Sequence, residues 1–202
     1  MKKYNVAIVG VTGNVGQVLV EVLRQRNFPV KGWKLLASAH SAGKKVNIGG
    51  QEYSVEEAKP ESFNGVDFAF FSAGGDVSKE LAPEAAKRGA IVVDNSSAFR
   101  MDPEIPLVVP EVNPDAVSRH KGIIANPNCS TIQMVVALKP INDLSKIKRV
   151  RVATYQAASG AGAQGIAELE QQVKEIANGN EPTISKFPYQ LAMNIIPHID
   201  VF

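Results

Sequence analysis

The chain has 202 residues, with 22 Lys and Arg against 20 Asp and Glu, giving a formal net charge of +2. At ~150 residues per typical domain the length corresponds to about 1.3 domains, and the balanced charge argues against a nucleic-acid surface built on bulk charge. Hydrophobic residues make up 45% and charged residues 21%, which excludes a disordered polymer and leaves enough apolar surface for a real core.

Tyr4 to Val9 is a short apolar run that stops at Gly10, and it predicts a buried parallel strand. Val15 to Leu23 carries Val15, Leu19, Val22 and Leu23 at helical spacing, and Phe28-Pro29 closes it. Trp33 to Ala37 predicts a second strand, and Ser38 to Gly50 a loop rich in Gly, Ser and Lys. Val66 to Phe71 predicts a third strand, Val77 to Arg88 a helix with Leu81, Ala85 and Ala86 on its apolar face, and Ala90 to Val93 a fourth strand. Leu107–Val109 and Ile123–Ala125 are two further short apolar runs.

Thr131 to Lys139 reads as a helix that Pro140 stops, and Lys148 to Tyr155 as a longer strand. Gln164 to Asn178 reads as a helix with Ile166, Leu169, Val173 and Ile176 on one stripe and Gly179 as its cap. Ile195 to Phe202 is largely apolar. Strands alternating with helices predict an α/β fold with a doubly wound, Rossmann-like parallel sheet. We expect that domain over 1–132 and the start of a second, α+β catalytic and dimerisation domain over 133–202.

One cysteine leaves neither an internal disulfide nor a cysteine zinc site, and three scattered histidines form no metal constellation. The start MKKYNVAIVG lacks the long apolar region of a signal peptide, and no run of ~18 apolar residues is available to span a membrane. The expected location is the cytoplasm, with no membrane or nucleic-acid partner.

Gly10, Gly13 and Gly16 stand as G-x-x-G-x-x-G between the first strand and the first helix. Glycines there allow a tight turn and let backbone N–H groups meet a pyrophosphate at the helix N-terminus. A glycine turn without a ligand is the alternative. Lys34 to Gln51 contains no acidic residue to accept from ribose hydroxyls; it offers Ser38, His40, Ser41, Lys44 and Lys45. Hydroxyls and cations suit a 2′-phosphate, which favours NADP over NAD.

Cys129 follows Asn126-Pro127-Asn128 at the start of the helix expected after it. A helix N-terminus favours an anion, and a thiolate is the nucleophile that attacks a carbonyl. A buried structural thiol is the competing reading. With a nicotinamide cofactor, a nucleophilic cysteine implies aldehyde oxidation through a thioester, or its reverse.

Several motifs carry a resemblance over essentially the whole chain. They are Gly10 to Gly16, Phe71-Ser-Ala-Gly-Gly75, Asp94-Asn-Ser-Ser-Ala-Phe-Arg100, Val109-Pro-Glu-Val-Asn113, Asn126 to Thr131, Thr154 through Gln156 to Gly162, and Asn194-Ile-Ile-Pro-His-Ile199. In this order they resemble the aspartate-β-semialdehyde dehydrogenase family. The resemblance implies Cys129 as nucleophile and Gln156 as a residue that holds the acyl substrate. It implies Arg100 and Asn128 as ligands of inorganic phosphate or the substrate phosphoryl group. Gly10, Thr12, Gly13, Asn14 and Val15 would cradle the cofactor pyrophosphate, and Ser38 and Ser41 would face the 2′-phosphate. Ser72, Ala73, Gly74, Ser159 and Gly160 would line the nicotinamide side.

The implied reaction is the NADP-dependent reductive dephosphorylation of β-aspartyl phosphate to aspartate-β-semialdehyde, or its reverse, in lysine, threonine, methionine and diaminopimelate biosynthesis. The implied assembly is a homodimer or homotetramer. His40 stands where the family often has Arg, which weakens one expected 2′-phosphate contact. Family members continue beyond the point matching Phe202, so the expectation is a longer enzyme whose general-base His, substrate-carboxylate Arg and a substrate-positioning Glu lie outside the sequence given. N-acetyl-γ-glutamyl-phosphate reductase and a non-catalytic dinucleotide-binding module are the alternatives.

Overall fold

The computed structural model describes residues 2–199. The chain divides into two compact units, Met1–Arg151 and Val152–Phe202. In the first, β1 (Tyr4–Val9), β2 (Val30–Ala37), β3 (Lys45–Ile48), β4 (Gln51–Glu57), β5 (Phe68–Phe71), β6 (Ile91–Asp94) and β7 (Ile123–Ala125) form one seven-stranded sheet. The order is β3-β4-β2-β1-β5-β6-β7, with β3 antiparallel to β4 and the other neighbours parallel.

Val6, Ala7, Ile8 and Val9 of β1 are fully buried, as a strand covered on both faces must be. Ala7 and Val9 pack with Leu81, Ala82 and Ala85 of α2 (Gly75–Lys87). Val6 and Ile8 pack with Val20 and Leu23 of α1 (Asn14–Gln25). The period-two alternation of one strand thus sends α1 and α2 to opposite faces, the doubly wound arrangement expected from the sequence. Asn27, at φ 53, ends α1, and the Phe28 N–H donates to the Leu23 carbonyl at 2.9 Å, a left-handed cap that turns the chain into β2.

Four expectations about elements differ from what is observed. The segment 38–50 is not all loop, because Gly49 and Gly50 take φ 64 and 89 and join β3 to β4 as a tight hairpin. A two-residue turn with both residues left-handed matches strand twist, and the alternation of Val46 and Ile48 against Tyr53 and Val55 was the overlooked signal.

Pro140 does not stop its helix; α3 runs from Cys129 to Leu144 with Pro140 inside. The turn beyond the proline is held by Lys139 Nζ against the Asp143 carboxylate at 2.6 Å and by the Ser145 N–H on the Ile141 carbonyl at 2.8 Å. Lys148–Tyr155 is not a strand. A strand needs a ladder partner, and among the described residues none pairs with this segment, whose Val152 and Tyr155 are exposed.

The second unit is built on α4 (Gly162–Ala177), closed by Gly179 at φ 76 as expected. Its fully buried residues are Gly165, Glu168 and Gln172, while of the expected apolar stripe Ile166, Leu169 and Ile176 are half-buried and Val173 is exposed. The reason is the segment 183–192, which lays backbone N–H groups on this face, and these require acceptors. Of the apolar run from Ile195, residues 200–202 lie outside the described residues. Among the described residues no helix is long and apolar enough to cross a membrane.

Candidate active site

From β1 the chain steps outward to β2 and β4, then returns to β5 on the other side of β1. The crevice at the carboxyl ends of β1 and β5 is therefore the topological switch point, where open α/β sheets bind ligands. Gly10, at φ 89, lies against the next loop so closely that a Cβ would come 2.9 Å from the Ser72 carbonyl carbon and oxygen. The Gly10 N–H donates to the Leu36 carbonyl at 2.8 Å, and Ser72 donates to the Val9 carbonyl through N–H and Oγ at 2.9 and 3.2 Å. The turns after β1 and β5 are thus packed together at the rim, and the first is also tied to the last residues of β2, with Ala73 and Gly74 (φ 97) leading into α2.

Gly13 is the N-cap of α1 and has no side chain to satisfy the first-turn amides, which leaves the N–H groups of Asn14, Val15 and Gly16 as donors toward an anion. Gly16 is glycine for a structural reason: a Cβ would lie 2.3 Å from the Gly10 carbonyl oxygen. Gly13 is different. Its φ is an ordinary −82, and a Cβ would meet only the Gly10 oxygen at 3.4 Å. The fold itself does not require glycine there, and the missing Cβ leaves the exposed turn beside Thr12 open to a pyrophosphate. The cradle therefore fits a dinucleotide.

The two serines of the β2 loop part company. Ser38 is exposed at the strand end, while Ser41 is 8% exposed, its hydroxyl 3.5 Å from Lys44 Nζ. Lys44 is thus the cation beside the Ser41 hydroxyl, and His40 is exposed.

Cys129 is the first residue of α3, the position the sequence led us to expect, and it is exposed. Asn128 is the N-cap, its Oδ1 accepting from Ser130 N–H at 3.0 Å and Ser130 Oγ at 2.5 Å, with Cys129 Sγ at 3.8 Å. Arg100 Nε donates to the Asn126 carbonyl at 3.0 Å and Nη2 to the Asn95 carbonyl at 3.1 Å. Asn126 Nδ2 donates to Asn95 Oδ1 at 2.7 Å. The ends of β6 and β7 are thereby clasped, and the guanidinium is fixed on the segment that leads directly into Cys129. Sequence reading missed Asn95 and Asn126; polar residues directly after two adjacent apolar strands were the available signal.

In the second unit, Gln156 is exposed, and the Thr154 hydroxyl donates to its Oε1 at 3.3 Å. Ser159 and Gly160 lie in the short turn Ala158–Ala161 before α4, both exposed. Among the described residues no group of three or more His, Cys, Asp or Glu is placed to hold a metal ion.

The chain also matches known proteins. Residues 5–120 match the family described as semialdehyde dehydrogenase, NAD binding domain, and residues 138–202 match semialdehyde dehydrogenase, dimerisation domain. The aspartate-semialdehyde dehydrogenase of Aquifex aeolicus is 60% identical over 98% of this chain and 60% of its own length. That of Bacillus subtilis is 56% identical over 98% of this chain and 59% of its own length. The chain thus spans about 60% of the length of these curated relatives.

Among solved structures, aspartate semialdehyde dehydrogenase II of Vibrio cholerae complexed with ASA superposes with a TM-score of 0.97 at 49% identity, covering 100% of this chain and 61% of that one. The Candida albicans enzyme with NADP gives 0.62 at 30% identity, covering 72% of this chain and 48% of that one.

Proposed function

The chain belongs to the semialdehyde dehydrogenase family, and from that premise we propose that the whole protein interconverts β-aspartyl phosphate and aspartate-β-semialdehyde through a thioester on Cys129. The observation that carries this reading is the guanidinium of Arg100 tied to the carbonyl of Asn126, immediately upstream of an exposed cysteine at a helix N-terminus. A phosphate site beside a nucleophilic thiol suits acyl-phosphate chemistry and has little use in simple hydrolysis.

In the reductive direction the Cys129 thiolate attacks the acyl carbon, a C–S bond forms, and the C–O bond to phosphate breaks. Arg100 grips the departing phosphate with its remaining N–H donors, the planar fork matching two phosphate oxygens. The positive end of α3 stabilises the thiolate before attack and again when it is expelled. Asn128 keeps the first turn closed by accepting from Ser130, and we assign it a share in phosphate binding. Gln156 holds the acyl substrate through its amide, whose oxygen Thr154 already engages.

NADPH, when bound, supplies the hydride that reduces the thioester to the semialdehyde. Gly10, Thr12, Gly13, Asn14 and Val15 hold its pyrophosphate, and Ser38, Ser41 and Lys44 face its 2′-phosphate. Ser72, Ala73 and Gly74, with Ser159 and Gly160, line the nicotinamide side. NADP is favoured over NAD by the hydroxyl and ammonium groups after β2, and the related Candida albicans structure holds NADP. The match to a dimerisation domain supports a homodimer or a dimer of dimers. The place in metabolism we propose is the aspartate branch leading to diaminopimelate, lysine, threonine and methionine.

The test is phosphate-dependent NADP reduction by the whole protein, with aspartate semialdehyde and N-acetylglutamate semialdehyde compared side by side. Turnover of the first, lost in Cys129→Ser, is the expected result. Preference for the second identifies the related acetylglutamyl reductase instead. NADP binding without turnover of either leaves a dinucleotide-binding module.

A further inference from the structure

We infer that Asp94 is a positioning residue that locks the cofactor-side helix α2 and the Arg100 loop to the same point of the sheet. The inference rests on the reading of Arg100 and the Ser72–Gly74 loop given above. Asp94 is the last residue of β6, and its side chain is fully buried. Its Oδ1 accepts from Ser78 Oγ at 2.6 Å and from the Ser96 N–H at 3.2 Å, and its Oδ2 accepts from Ser96 Oγ at 2.7 Å. Among the described residues no cation pairs with it. A buried carboxylate held by hydroxyls and one amide is a costly way to fill a core, where an apolar residue packs without the desolvation penalty. Its two oxygens do something that an apolar side chain could not.

One arm leads to the cofactor side. Ser78 sits in the first turn of α2, and its N–H donates to the carbonyl of Gly74 at 3.1 Å. The carboxylate therefore holds the start of the helix that follows Ser72, Ala73 and Gly74.

The other arm leads to the phosphate side. Ser96 Oγ accepts from the Ala98 N–H at 3.0 Å, which bends the chain toward Arg100. The Arg100 fork then closes on the Asn95 and Asn126 carbonyls. The Asp94 backbone carbonyl also accepts from the Asn126 N–H at 3.1 Å. Asp94 is bonded to both arms, and its carboxylate gives each arm an acceptor that is charged and pre-oriented.

The experiment uses the whole protein and three variants. Ser96→Ala is expected to raise the phosphate KM about tenfold, the effect of losing one charge-assisted bond, while the calorimetric Kd for NADP and kcat stay within about threefold. Ser78→Ala is expected to do the reverse, raising the NADP Kd and sparing the phosphate KM. Asp94→Asn is expected to raise both. Variants that lower Tm but leave both constants within twofold of wild type, or two serine variants that shift the same constant, overturn the inference. If Asp94→Asn does not fold, the serine pair decides. If the wild-type protein reduces no NADP, the proposed function falls, while calorimetry with NADP and with inorganic phosphate still decides the role of Asp94.

Discussion

Arg100 and Asn126 are joined side chain to backbone: Nε of the arginine donates to the asparagine carbonyl at 3.0 Å, across the gap between the loops that follow β6 and β7. The contact spends one guanidinium donor on the protein and, with Nη2 on the Asn95 carbonyl, fixes the plane of the remaining ones. A surface arginine would have rotamer freedom to lose on binding an anion; this one has lost it already.

Arg100→Lys tests that rigidity, because it keeps the charge and removes the fork. Loss of one charge-assisted hydrogen bond costs about 1.5–3 kcal/mol. The phosphate KM should therefore rise about 10- to 100-fold, with a smaller fall in kcat and an unchanged NADP Kd. Initial rates against phosphate concentration, with calorimetry for the cofactor, check the outcome.

Cys129→Ser should reduce turnover by roughly a thousandfold or more, the usual consequence of removing a nucleophile, while the fold and NADP binding persist. The side chain is exposed and lies outside the core, so Tm should move little. Asn128→Ala is the complementary change. It removes the acceptor for Ser130 and should cost about 1 kcal/mol of helix stability, with a raised phosphate KM. Thermal melting alongside rate measurements separates the two.

The parallel sheet was legible because β1, β5, β6 and β7 are short apolar runs that end in glycine or polar residues, which leaves little other reading. Cys129 at the head of α3 was legible for the same reason: Asn-Pro-Asn cannot continue a strand, and the residues after it are helical. The hairpin β3–β4 was hidden by its lysines and asparagine, which mark an edge strand as readily as a loop. Lys148–Tyr155 misled because alternation gives a strand's pattern but not its partner. The buried polar face of α4 was illegible for a deeper reason: Glu168 and Gln172 answer to backbone donors far along the chain, and no local pattern records them. The clasp of Arg100 on Asn95 and Asn126 was likewise tertiary, although each residue sits at a strand end that the sequence marked.

Gly10→Ala and Gly13→Ala should separate structural from ligand-driven glycine. Alanine at 10 meets the Ser72 backbone at 2.9 Å with φ at 89, and should destabilise by about 1–3 kcal/mol. Alanine at 13, where φ is −82, should leave stability unchanged or raise it by about 0.4–1 kcal/mol, yet weaken NADP binding through the Cβ that now faces the pyrophosphate. Denaturant melts paired with NADP titration read both effects. A Gly13→Ala protein that binds NADP as tightly as wild type removes the cradle assignment.

The segment 183–192 should loosen in acid. Glu168 is 4% exposed, and burial alone would push its carboxyl up. The bonds it accepts from the Lys186, Ser185 and Phe187 N–H groups and from Ser185 Oγ outweigh that and hold it below the usual range. Glu175 is lowered too, first by the Thr183 N–H at 2.6 Å. A carboxylate with a depressed folded-state value contributes stability that is complete above its unfolded pKa of about 4.3 and is lost as pH falls through the folded value.

Hydrogen exchange of 183–192, corrected for intrinsic rate, should therefore be flat from about pH 6 to 8 and rise below about pH 4. Glu168→Gln should bring the loosening to neutral pH. A single amide oxygen cannot serve all the donors that converge on the two carboxylate oxygens, and each donor left buried and unpaired costs about 1–3 kcal/mol. Gln172, whose Nε2 donates to Glu168 Oε1 at 2.9 Å while its Oε1 accepts from the Leu191 and Ala192 N–H groups, should transmit the change. Protection at 191–192 should then fall together with protection at 185–187, and a variant that loosens only 185–187 would show that Glu168 and Gln172 act separately.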